Sequence, residues 1–219
     1  MTCRCRVTNP PIFKVLTGCL FAVFAVGQQS GYMQNLKDLS FDMGLMREYP
    51  SEWSTTGVAI PIMSKVKVVP ELPNVNGQIF MKNEIVTAAW DVAFRMEIDM
   101  SSKLDKLKIN EMQDIFAAWF LVSFPKIRPG LIKEKMAFGY RETFNGVGVY
   151  VFKESEDYKI IAMENYGNEQ ITLSSLGKHF KAGTNGCVIK DKTLFDKEFV
   201  MRMRLETGML RVTYGPKMR

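Results

Sequence analysis

An all-β sandwich is the fold class the sequence predicts, on three observations. Residues 90–100 alternate strictly: Trp90, Val92, Phe94, Met96, Ile98 and Met100 are set against Asp91, Ala93, Arg95, Glu97 and Asp99. A period of two gives one buried and one solvated face, the pattern of an antiparallel sheet lying on a core. The runs DIFAAWF (114–120) and FNGVGVYVF (144–152) are short, apolar and rich in aromatic and β-branched residues between turn residues. They read as two buried strands. Near the end, Phe199, Met201, Met203 and Leu205 alternate with Val200, Arg202 and Arg204. Glu206-Thr207-Gly208 then turns the chain into Leu210, Val212 and Tyr214, a hairpin signature. No long amphipathic helix competes with this reading, and the polar connection 101–110 has room for one helical turn.

Taken in order, the chain begins with a segment unlike the rest. Arg4, Arg6 and Lys14 form a basic leader, and 15–26 is apolar apart from Thr17 and Gly18. Ala25-Val26-Gly27 places small residues where a signal peptidase reads, so 1–27 resembles a secretory signal peptide cleaved before Gln28. Its apolar run is short for a membrane span, and an uncleaved N-terminal anchor is the alternative. Cys3, Cys5 and Cys19 lie in this leader, which leaves Cys187 alone in the mature chain. A lone cysteine in an oxidising compartment implies a missing partner or an intermolecular bond. Residues 28–38 are an N-terminal segment, and 39–219 form the one domain that 219 residues with 47% hydrophobic content can support. The net charge of +6 comes from scattered Lys and Arg, with no basic stripe interleaved with aromatics. No nucleic-acid partner is indicated.

Two features carry candidate chemistry. Asp114 stands directly before the first buried run, and the acidic stretch 154–157 follows the second. A carboxylate at the mouth of one strand and an acidic loop after another can build a ligand site on the loops of a sandwich. On spacing alone, a strand start and a solvated turn account for them better. His179 is the only histidine and lies in the Gly- and Lys-rich connection 177–183. Without a second histidine or a cysteine cluster it supports neither zinc binding nor histidine catalysis, and an exposed loop position is expected.

Asp114-Ile115-Phe116-Ala117-Ala118-Trp119 resembles the Asp-Gly-Leu-Ala-Phe-Trp strand of the leguminous-type (L-type) lectins of the early secretory pathway, the mannose lectins of the ER–Golgi intermediate compartment and their relatives. Phe138-Gly139 and Phe144-Asn145-Gly146-Val147-Gly148-Val149 resemble the next landmark of that family. Trp53, Gly57-Val58-Ala59-Ile60, Val68-Val69-Pro70, Gly77-Gln78-Ile79-Phe80 and Trp90-Asp91-Val92 fall upstream in the family's order. Asn165-Tyr166-Gly167, Cys187 and Leu210-Arg211-Val212 continue it downstream. The resemblance implies the concanavalin-like (legume-lectin) jelly-roll β-sandwich.

It also implies a site. Asp114 matches the sugar-binding aspartate, with Ile115 in place of the glycine that follows it, and Gln78 stands where a small polar sugar-contacting residue is usual. The family holds Ca²⁺ through an Asp, an aromatic backbone carbonyl and an Asn. Aligned without gaps, these positions are Phe152, Glu154 and Glu156. Phe152 cannot ligate through its side chain, so Ca²⁺ is expected to be weak or lost. A shifted loop would offer Glu154, Glu156 and Asp157 as a rebuilt metal set. The family's ligand-site histidine comes sooner after the Asn-Gly turn, so its role does not transfer to His179. The family cysteine at position 187 pairs with one in a later strand that this sequence does not contain.

Family domains continue through more strands and a Gly-rich sugar-selecting loop, then a stalk and a membrane span. This sequence stops at Arg219. The sandwich is therefore expected to lack its last strands and to expose sheet edges, with membrane attachment only through a C-terminal span absent from this chain. Glu97-Ile98-Asp99 resembles part of the catalytic signature of β-glucanases of the same fold, but Ser102 takes the place of the third carboxylate. Alternation already explains both acids as a solvent face, so no enzyme is expected. The implied function is a luminal carbohydrate-binding domain of a mannose-lectin type cargo receptor in ER-to-Golgi transport. Its partners would be high-mannose glycoprotein cargo and a second copy or a co-receptor, in the ER lumen, the intermediate compartment and the Golgi. The alternative is a lectin-fold domain that has lost calcium and sugar binding and acts as a protein-interaction module.

Overall fold

The computed structural model describes residues 2–6, 14–16, 23–24, 53–62, 65–68, 77–81, 89–97, 112–121, 138, 143–190, 198–206 and 208–216. Two five-stranded antiparallel sheets carry the fold. Sheet I runs in the order β1 (Thr2–Arg6), β14 (Met209–Pro216), β13 (Phe199–Glu206), β8 (Trp90–Met96), β3 (Val23–Phe24). Sheet II runs β12 (Gly186–Ile189), β11 (Asp157–Tyr166), β10 (Asn145–Glu154), β9 (Gln113–Leu121), β2 (Lys14–Leu16). Two small ribbons pair β4 (Trp53–Gly57) with β7 (Gly77–Met81) and β5 (Ile60–Ile62) with β6 (Lys65–Lys67).

Sheet I follows from its alternation. Trp90, Val92, Phe94 and Met96 are buried while Asp91, Ala93 and Arg95 are half-buried. Phe199, Met201, Met203 and Leu205 repeat the pattern on β13, as do Leu210, Val212 and Tyr214 on β14. The turn predicted at 206–208 joins them, with Glu206 opposite Met209 and Gly208 at φ 74°. These side chains meet Phe116, Phe120, Val149, Val151 and Ile160 of sheet II in one inter-sheet core. Trp90 stacks on Phe120 at 3.8 Å between ring centroids, and Phe94 meets Phe116 edge-on at 5.7 Å. Such pairs add about 0.5–1.5 kcal/mol beyond simple area burial.

Sheet II is buried on both faces. Its outer face carries Trp119, Leu121, Tyr150, Phe152, Ile161 and Met163, which form a second core with Phe138, Phe144, Ile171 and Leu176. Trp119 Nε1 donates to Tyr150 Oη at 3.1 Å, so the indole donor is satisfied inside this layer. Tyr150 folds back over Gly148, where a Cβ would lie 2.5 Å from the phenolic oxygen. That close approach explains the glycine within the Gly-Val-Gly-Val run.

The layer is roofed by α1 (Leu173–His179), a helix that the sequence reading does not anticipate. Thr172 caps it reciprocally: Ser175 N donates to Thr172 Oγ1 at 3.2 Å, and Thr172 N donates to Ser175 Oγ at 2.9 Å. Leu176 is its buried anchor. His179 is therefore the last residue of a helix and not a loop residue, and its Nε2 lies 2.9 Å from Glu169 Oε1.

Three strands, β1 to β3, come from the 1–27 segment read as a leader. The edge of β14, expected to be open where further strands would follow, is paired along Thr2–Arg6 by β1. Residues 98–100, the connection 101–110 and Gly139 lie outside the described residues. No helix among the described residues is long and apolar enough to cross a membrane.

Candidate functional site

The end of sheet II where β10 turns into β11 gathers most of the residues singled out above. Two residues, Ser155 and Glu156, make the turn, and Glu154 and Asp157 face each other as Cα partners. Ser155 has φ 55°, a left-handed conformation of the kind two-residue hairpins require. The pairing runs unbroken from Asn145 opposite Tyr166 to this point. The stretch 154–157 is thus a tight hairpin, not the open acidic loop that the sequence reading allows.

On the other side of β10, Phe152 pairs with Asp114 and Val151 with Phe116. Ile115 is left over as the extra residue of a β-bulge, and its side chain packs against the inter-sheet core. Asp114 lies inside β9, one residue past its start, instead of before the strand. One cross-strand row therefore runs Asp114, Phe152, Lys159, Val188. The topology brings Asp114 to the same sheet end as Glu154 and Asp157.

Phe152 is fully buried in the second core and meets Phe180 edge-on, with centroids 6.5 Å apart at 87°. Beside it in the row, Lys159 has a side chain only 17% exposed. Its ammonium forms an ion pair with Glu154 and sits 4.8 Å from the centroid of the Phe180 ring. The Glu154 carboxylate in turn lies against α1: its Oε1 is 2.7 Å from where a Cβ on Gly177 would stand. Only glycine leaves room for that carboxylate as it is placed.

The calcium that the resemblance implies does not fit these residues. Calcium takes about six to eight hard oxygens, and Phe152 supplies none from its side chain. Glu154 is engaged by an ammonium, while Glu156 and Asp157 are exposed on the hairpin tip. Among the described residues, no three His, Cys, Asp or Glu side chains are grouped to hold a metal ion.

Gln78 is 3% exposed on β7, between Gly77 and Ile79. Strand alternation puts it on the same face as Phe80, which packs against the second core, while Ile79 and Met81 join the inter-sheet core. Its amide is closed to a ligand arriving from solvent in this conformation. Glu97 is exposed just past β8, and Ile98 and Asp99 lie outside the described residues. Cys187 is half-buried on β12 against the inter-sheet core.

Two residues near opposite ends of β11 gain a structural role that the sequence did not suggest. Asn165 is 1% exposed and organises the turn after β11. Its Oδ1 accepts from Gly167 N at 2.9 Å, and its Nδ2 donates to Glu169 O at 2.7 Å. Lys159 is the other. Its signal is a lysine set into the apolar run Tyr158 to Met163, on the strand face that carries Ile161 and Met163.

Two facing antiparallel sheets, with loops and a short helix gathered over one outer face, define a lectin-type β-sandwich. The chain belongs to the legume-like lectin family, whose model matches residues 30–214. None of the curated proteins compared with the chain matches it. The family is one of non-enzymatic, carbohydrate-binding proteins, which makes this a domain of carbohydrate-binding type.

Proposed function

We propose that this is a luminal carbohydrate-recognition domain of the early secretory pathway, taking high-mannose glycans of glycoprotein cargo at the Asp114 end of sheet II. The observation that carries the reading is the register. Asp114, the residue matched to the family's sugar-binding aspartate, lies in the row with Phe152 and at the same sheet end as the 154–157 hairpin. Transport of that cargo from the ER toward the Golgi, and service as a cargo receptor with a second copy or a co-receptor, extend the same reading. A carboxylate that accepts two sugar hydroxyls offsets part of their desolvation, so a single such contact is a necessary anchor.

A second reading is favoured by the burial of Gln78 and by Ile60 and Ile62, which are 62% and 41% exposed on β5. It is a lectin-fold domain that contacts proteins and has given up the sugar site. Calorimetric titration of the folded domain with a mannose oligosaccharide, with and without Ca²⁺, separates the two. Saturable binding lost in Asp114→Ala supports the carbohydrate reading. Folded protein that gives no binding heat with the sugar under either condition rejects it and leaves the protein-contact reading.

A further inference from the structure

The side chain of Lys159 is largely withdrawn from water on the outer face of sheet II, directly beside Phe152. Withdrawing an ammonium from water is costly unless it is paired and well placed. Its contacts join three elements. Glu154 is the last residue of β10, Lys159 itself belongs to β11, and Phe180 is the C-cap residue of α1. The ammonium lies over the Phe180 ring, and that ring is in turn braced edge-on by Phe152. One positive charge thus ties the hairpin carboxylate to the strand beside it and to the end of the helix above. That is the mechanical task of a bound cation: it neutralises a carboxylate and pins a strand end to the neighbouring segment.

We propose that Lys159 is a built-in cation that holds the ligand end of sheet II where a metal would otherwise be needed, so that this end is ordered without calcium. The part of the inference that concerns a glycan rests on the carbohydrate reading above: binding at Asp114 is then insensitive to chelators. The structural part stands independently of any ligand. It makes Lys159 a positioning residue, acting through Glu154 and the end of α1 and not by touching sugar.

The test uses the full chain and needs no ligand. Thermal melts of the wild type in millimolar Ca²⁺ and in EDTA are expected to coincide within about 1 °C. Lys159→Met keeps the apolar stem and removes the charge. It is expected to lower Tm by roughly 3 °C or more, on the scale at which a domain of this size responds. It should also speed amide exchange at 154–157 and 177–180 while leaving β8 and β13 unchanged. Glu154→Gln, a gentler variant that folds if Lys159→Met does not, should accelerate exchange at the same two segments. The double variant should lose less than the two single losses combined, because both remove one interaction. A Ca²⁺-dependent, EDTA-reversible rise in wild-type Tm, or exchange at 154–157 and 177–180 that neither variant alters, overturns the proposal. Mannose-oligosaccharide binding is measured alongside. If the wild type binds no sugar, the carbohydrate reading fails while the melts and exchange rates still decide Lys159.

Discussion

The outer faces of the two sheets are built from strands of similar length and end up with opposite chemistry. On sheet I the outer face is charged and wet. Arg202 holds Asp91 through two hydrogen bonds of 2.7 and 2.5 Å, Arg95 pairs with Glu198 at 2.6 Å, and Arg204 with Glu206 at 2.9 Å. The hydrogen bonds to Asp91 push the Arg202 guanidinium further up from its ordinary value, so it stays charged throughout the neutral range. On sheet II the outer face is a second apolar core under α1, at whose edge Lys159 pairs with Glu154. The comparison shows where this chain invests polar groups. The outer face of sheet I carries these three partly exposed ion pairs, each contributing little. The outer face of sheet II shelters the Lys159–Glu154 pair beside the buried Phe152.

The largest test of that contrast is Phe152→Asp, which puts a carboxylate at the position that the resemblance aligns with the family's first calcium ligand. In this structure it places a charge inside the second core, so a loss of about 4 kcal/mol or more is expected by chemical denaturation. The matched change Ala93→Asp, on the outer face of sheet I beside Arg202, should stay within about 0.5 kcal/mol. Recovery of Phe152→Asp stability in millimolar Ca²⁺ would break the comparison, since it would mean that the metal ligands can still assemble.

Tyr150→Phe comes next. It removes the acceptor of Trp119 Nε1 within the second core, and a loss of about 1–3 kcal/mol is expected. Unchanged stability would show that water reaches the indole, and the second core would then be wetter than its packing implies. Thr172→Ala removes the reciprocal cap of α1 and should cost about 1 kcal/mol, seen as faster amide exchange confined to 173–180. A global response would mean that the helix is integral to the sandwich and not a roof upon it. The smallest effect is expected from Arg204→Ala on sheet I, below about 0.5 kcal/mol and shrinking further as salt screens the pair with Glu206. A loss comparable to that of Tyr150→Phe would erase the distinction between the two faces.

Strands β8, β13 and β14 of sheet I were legible because their periodicity needs no partner to be read. Trp90 to Met96 and Phe199 to Leu205 announce a buried and a wet face residue by residue. The buried runs of β9 and β10 were legible as strands, but not which of their residues face which core. Phe116, Ala118 and Phe120 go inward and Ala117, Trp119 and Leu121 outward, a division invisible in a run apolar throughout. Of the candidate site, the sequence singles out Asp114 and the acidic stretch 154–157 but not their shape. A bulge at Ile115 and a two-residue turn at 155–156 are matters of pairing register, which depends on the opposite strand.

The sequence by itself determined the fold class, the strands of the hairpin at 199–216 and, through its ordered motifs, the lectin family. Alternation and turn residues are local, and local patterns survive without knowledge of contacts. Only the tertiary structure decided that Phe152 is walled into a second core, that His179 ends a helix, and that Lys159 meets Glu154 and Phe180. Each of those depends on which segments pack together across the sheet. The energy of a withdrawn charge is set by the neighbours that surround it, and the linear order of residues does not name them.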